Sequence, residues 1–169
     1  MSDKLEEVNH LQLNVQVINF TGKKLKDFKE NVSAKANTSS KVKTYKVTDL
    51  VTENQKHNCV VRALLRGENG KIISEKNYYF YWPNELNLPE TTIKKSISYA
   101  VGKYTVTLSS KYLAKDVFIQ IPVQGAKFSD NFFDLMPGQK KTIVITSPQL
   151  KASEKTPITV KHIRETYIQ

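Results

Sequence analysis

Leu11, Leu13, Val15 and Val17 alternate with Gln12, Asn14 and Gln16. A period of two puts the apolar set on one face of a half-buried strand and the amides on the other. The same period returns at Tyr104, Val106 and Leu108 against threonines, and at Val117, Ile119, Ile121 and Val123 against Phe118, Gln120 and Pro122. Val, Ile and Thr together number 41 of the 169 residues, against 7 Ala. Branched side chains suit a pleated sheet and lose freedom in a helix. The chain is therefore expected to be all-β, and a helical bundle is excluded. It is too short for a (β/α)8 barrel, which needs roughly 200 residues or more.

Strands are expected over residues 11–17, 28–34, 42–47, 59–65 and 72–81 in the first half. The run from 59 to 65 is almost continuously apolar, so it is read as a sheet interior, and Gly67-Glu68-Asn69-Gly70 reads as the tight turn after it. In the second half, strands are expected over 93–99, 104–108, 117–123, 140–146 and 158–163, with short pieces at 128 and 132–133. Strand starts at intervals of roughly 8–12 residues are those of a sandwich. Between the halves, residues 82–89 hold two prolines and cannot be a central strand. The organisation expected is a partial sandwich over 1–84, a Pro-containing extended linker over 85–92, and a second sandwich over 93–169. Five strands are few for a closed sandwich, so the first is read as truncated; about seven are enough for the second to be read as complete.

The chain carries 26 basic and 16 acidic residues, a net charge of +10. Of the basic residues 23 are Lys and only Arg62, Arg66 and Arg164 carry the planar fork that readers of bases and phosphates use. The excess is even, with 14 basic against 9 acidic residues over 1–84 and 12 against 7 over 85–169. There is no basic arm, so no specific nucleic-acid partner is expected, and lysines of this kind commonly blunt strand edges. No stretch approaches the ~20 apolar residues of a membrane span. Met1 to His10 has no apolar core of a secretory signal. A secreted or periplasmic location is expected only if a longer parent supplies a leader.

Little in the chain carries chemistry. His10, His57 and His162 are far apart in sequence, and no Cys/His metal spacing occurs, so no metal and no cofactor is expected. Cys59 lies in the apolar run and reads as a small buried hydrophobe. Asn84-Glu85 after Trp82 looks like an acid/base pair of some glycosidases, but glycoside hydrolysis needs two carboxyls ~5–5.5 Å apart for retention, held on a rigid scaffold. Glu85 lies between two prolines, and no catalytic residue is assigned. The aromatic run Tyr78-Tyr79-Phe80-Tyr81-Trp82 is the strongest local feature. Strand alternation would set Tyr78, Phe80 and Trp82 on one face and Tyr79 and Tyr81 on the other. One face should be core; Tyr79, Tyr81 and Trp82 are the candidates for contact with a glycan.

Residues 128–139 read F-S-D-N-F-F-D-L-M-P-G-Q, within V-F-I-Q-I-P-V-Q-G-A-K-F-S-D-N-F-F-D-L-M-P-G-Q-K-K over 117–141. This segment resembles the C-terminal immunoglobulin-like domain of β-mannosidases in glycoside hydrolase family 2. The ending I-T-V-K-H-I-R-E-T-Y over 158–167, V-I-N-F-T-G-K over 17–23, A-N-T-S over 36–39 and the L-N-L-P linker over 86–89 are similar to the same family. The resemblance implies two consecutive immunoglobulin-like sandwiches and a parent that hydrolyses terminal β-mannosides with retention. It implies that the partner of this chain is the rest of that polypeptide, above all the catalytic barrel. No position here matches the family's catalytic motif. Asp130, Asn131, Phe132, Phe133, Pro137 and Gly138 are expected to build a structural corner, with Asp130 and Asn131 bonding neighbouring backbone and Phe132, Phe133 and Leu135 anchored in the core. The alternative roles are a stand-alone carbohydrate-binding module and an adhesin-like structural sandwich.

Overall fold

The computed structural model describes residues 5–152 and 155–167, so the first four residues of the polar lead-in lie outside the described residues. The protein is all-β, with 47% strand and 9% helix. It divides into two compact units, one of residues 1–19 and 23–86 and the other of 87–169 together with Phe20–Gly22.

The first unit is built on one antiparallel sheet of order β2-β1-β3-β4. Its strands are β1 (Val8–Asn19), β2 (Lys24–Ala34), β3 (Cys59–Arg66) and β4 (Ile72–Tyr78). β3 pairs with β1 on one side and β4 on the other, which is where its continuous apolar run belongs. Val15, Val17, Cys59 and Val61 form the core of one face, covered by Leu50 and Val51 at the end of the short helix α1 (Val47–Leu50). Burying each such side chain contributes roughly 1.5–3 kcal/mol. The opposite face buries Asn14 and Arg62, each held by a more exposed carboxylate. Asn14 donates to the Asp27 carboxylate and the Phe28 carbonyl, and Arg62 reaches Glu75 at 2.9 Å.

Residues 42–46, expected as strand, join no sheet. Val42 and Val47 stay 49% and 43% exposed, and only Tyr45 finds apolar cover, its ring 5.1 Å from that of Phe28. One covered side chain does not repay the ordering of a strand. The aromatic run also leaves its strand early, since β4 ends at Tyr78. The proline segment after it is not extended throughout. Pro83–Glu85 forms a 3-10 turn, and Leu86 and Leu88 are buried.

The second unit is a sandwich of two sheets, of order β5-β6-β10-β8 and β11-β7-β9. The strands are β5 (Ile93–Ala100), β6 (Lys103–Ser110), β7 (Ala114–Gln120), β8 (Lys127–Phe128), β9 (Phe133–Leu135), β10 (Lys140–Thr146) and β11 (Thr159–Lys161). The period of two in β6 is realised in full. Tyr104, Val106 and Leu108 are completely buried, against Val117 and Ile119 of β7 and Ile143 and Ile145 of β10. Tyr104 brings a polar atom into this core and satisfies it, its hydroxyl donating to the Lys151 carbonyl at 2.8 Å. β7 stops at Gln120, short of the expected 123, because Pro122 has no N–H for the ladder.

Candidate functional site

The aromatic run sits where β4 gives way to the 3-10 turn. Without a strand after Tyr78, its side chains do not alternate simply. Phe80 turns into the Val15–Val17–Cys59 core, and its ring meets that of Tyr78 edge-on at 5.2 Å. Tyr81 lies flat on His57, with centroids 4.0 Å apart and planes within 7°. Its hydroxyl donates to Glu53 Oε1 at 3.3 Å. His57 Nδ1–H donates to the Glu85 carbonyl at 2.8 Å, which fixes the ring on which Tyr81 stacks. Glu53 also pairs with Lys56 at 2.6 Å, and that ammonium holds its carboxyl below the usual range.

Glu85 has a structural task. Its Oε2 accepts the Trp82 N–H at 3.1 Å while its own N–H donates to the Trp82 carbonyl, closing the turn that Pro83 begins. Trp82 itself points outward, 77% exposed, beside a cavity of about 420 Å³ lined by Tyr79, Phe80, Tyr81, Trp82 and Glu85. Of the three candidate glycan contacts, Trp82 presents an open ring, Tyr81 has one ring face taken by His57, and Tyr79 is half-buried. No local sequence signal brings His57 and Glu53 to this run. Thr52-Glu53-Asn54-Gln55 has the spacing of a helix start, and the Thr52 N–H does donate to Gln55 Oε1 at 3.0 Å. Nothing local pairs that turn with Tyr81.

The corner in the second unit is tied to neighbouring backbone through Asn131. The Asn131 amide grips Ile119 from both sides, Oδ1 accepting the Ile119 N–H at 2.8 Å and Nδ2 donating to the Ile119 carbonyl at 3.1 Å. Oδ1 also accepts the Phe132 N–H. Asp130 behaves differently from expectation, pairing with Lys141 at 2.6 Å. Phe133 and Leu135 are buried, and the Lys141 ammonium lies 4.2 Å over the Phe133 ring. Phe132 is not a core anchor. Its φ of +60° turns the side chain outward, 73% exposed, to stack on Phe118 at 6.0 Å. Pro137 and Gly138 occupy the middle of a turn closed by the Gln139 N–H on the Met136 carbonyl, and Gly138 has the positive φ of +72° that a type II turn demands.

Among the described residues no group of three His, Cys, Asp or Glu could hold a metal ion. Cys59 is fully buried, and burial pushes its thiol up to about 11, away from any nucleophilic role. His162 is buried against the Thr91 carbonyl and Glu165.

Residues 1–83 match the Mannosidase Ig/CBM-like domain, and residues 88–166 match an Ig-fold domain of the mannosidase type. No curated protein matches the chain significantly. The fold is shared with a β-D-mannosidase from Dictyoglomus thermophilum, at 20% identity and a TM-score of 0.74, over 94% of this chain and 19% of that one. It is shared also with an exo-chitosanase from Amycolatopsis orientalis, at 16% identity and a TM-score of 0.67, over 95% of this chain and 23% of that one. The chain thus spans about a fifth of the length of these proteins. It belongs to the immunoglobulin-like domain families of mannosidases, as a Mannosidase Ig/CBM-like domain followed in tandem by an Ig-fold domain.

Proposed function

We propose that this chain is a non-catalytic accessory region of a glycoside hydrolase resembling the β-mannosidases of family 2. The observation that carries the reading is the succession of two mannosidase-type domains along nearly the whole chain. Hydrolysis of terminal β-mannosides with retention would belong to a separate barrel bearing two carboxylates, the partner of this region in the same polypeptide. The geometry supports the reading in a second way. Glu85 and Asn131, the polar groups of the two most distinctive motifs, are engaged with backbone and serve the fold. The purified chain is expected to release no p-nitrophenol from p-nitrophenyl β-D-mannoside. The transcript upstream of the Met1 codon is expected to continue in frame into a barrel with two suitably placed glutamates. Turnover by the purified chain, or a stop codon close upstream, would overturn the proposal.

The exposed Trp82 favours a second reading, contact with a glycan through its ring, with Tyr79 and Tyr81 at the side. Trp82 is the only tryptophan in the chain, so its fluorescence reports directly. β-1,4-Mannohexaose should shift the emission, and Trp82→Ala should abolish binding measured by calorimetry. An unchanged spectrum at millimolar sugar would remove this reading.

A further inference from the structure

The outer face of the β5-β6-β10-β8 sheet has an unusual composition. Not one Asp or Glu occurs in its four strands. The register places Lys94 level with Lys140 at one end, and Lys103 level with Lys127 at the other. Between them run two rows, Ser96–Thr107–Thr142 and Ser98–Thr105–Val144. These side chains lie opposite the inward set of Tyr104, Val106, Ile143 and Ile145, and all four lysines are exposed. From the ladder spacings, the lysine rows stand about 20 Å apart along the strands, and Lys94 and Lys140 about 10 Å apart across them.

The described carboxylates of this unit are engaged elsewhere. Asp116 and Asp134 meet Lys115, Asp130 meets Lys141, Glu90 meets Arg164 and Glu165 meets His162. Among the described residues, no ion pair reaches Lys94, Lys103, Lys127 or Lys140. Edge protection accounts for lysines on β5 and β8, but Lys103 and Lys140 stand on β6 and β10, which have neighbours on both sides.

We propose that this face binds an acidic polysaccharide chain. Charge complementarity selects an anion, and the hydroxyls select its kind. Ser and Thr both donate and accept, as sugar hydroxyls and carboxylate or sulfate groups require. Lysines act as point charges that need no fixed bidentate geometry. The face offers no ring for base stacking and no arginine for base edges, which single-stranded nucleic acid and sequence readout would use. It lacks the apolar anchors of a protein hot spot, Val144 being the one large apolar residue in the two central rows.

The test is binding of the full chain to polygalacturonate and to heparin at low and physiological salt. K94Q/K103Q/K127Q/K140Q is compared with K29Q/K35Q/K41Q/K76Q, which removes the same charge from the first unit. Losing four exposed ion pairs is expected to weaken binding about tenfold or more, and the matched control much less. S96A/T107A/T142A, at unchanged charge, should also lose affinity. Independently of any variant, polygalacturonate oligomers should shift the amide resonances of β5, β6 and β10 in the unaltered chain. Equal loss in the two lysine variants, an unaffected hydroxyl variant, or shifts confined to other strands would each overturn the proposal. Tighter binding of duplex DNA than of either polysaccharide would overturn it as well.

Discussion

Asn131→Ala tests whether one side chain holds the corner of the second unit. The substitution removes an acceptor from the Ile119 N–H and a donor from its carbonyl, and it also frees the Phe132 N–H. Ile119 is 2% exposed, so water reaches the two orphaned groups poorly. Each hydrogen bond contributes about 0.5–1.5 kcal/mol net, and each buried group left unpaired costs about 1–3 kcal/mol. Partial relaxation of the loop brings the expected loss to about 2–4 kcal/mol, or roughly 10–30 °C in the unfolding midpoint of a unit this size. Because the chain has two units, a single global transition is the wrong observable. Amide hydrogen exchange in the second unit is the right one, with Ile119 read locally and Val106 and Ile143 reading the unit as a whole. Asn131→Asp keeps the acceptor and loses the donor, so it should retain much of the Ile119 protection while lowering overall stability. A loss below about 0.5 kcal/mol in Asn131→Ala, with Ile119 protection intact, would refute the reasoning.

Three further outcomes are expected. Gly138→Ala should cost about 1 kcal/mol, read from amide exchange at Val106 and Ile143, because its φ is +72° while a new Cβ meets nothing within 4 Å, so only backbone strain is at stake. Tyr104→Phe should cost about 1 kcal/mol and no more than about 3, since Lys151 is exposed and its carbonyl can turn to water once the hydroxyl is gone. Cys59, its thiol raised to about 11 by burial, should resist Ellman's reagent in the folded chain. The sign follows from the raised value. The unfolded thiol ionises from about pH 8.5 and the folded one does not, so stability holds below that pH and falls as pH rises toward 11. Cys59→Ser should flatten that alkaline limb, and rapid labelling at pH 7.5 without unfolding would contradict the burial argument.

Much of this architecture was open to a reader of the sequence. β1, β3, β6 and β10 follow from alternation or from an unbroken apolar run, since a side-chain period of two has one physical meaning once one face is buried. The Met136–Gln139 turn follows from Pro-Gly, because few residues other than glycine accept its φ. These are local properties, carried by the backbone preferences and polarity of neighbouring residues. Residues 42–47 misled because alternation alone does not supply a partner strand. Phe132 misled because a positive φ, imposed where the chain turns at Asn131, outweighs the hydrophobicity of its ring.

The candidate sites were decided at long range. Trp82 is open while Phe80 packs against the core, although both belong to one aromatic run, because the strand ends at Tyr78 and a capped turn follows. His57 meets Tyr81 across 24 positions of sequence. Asn131 meets Ile119 across 12. The lysine rows of the outer face come together only through the pairing of β5, β6, β10 and β8. Polarity and period determine which side of a strand a residue takes. Which residues then become neighbours is set by register between strands, and register depends on the packing of the whole core.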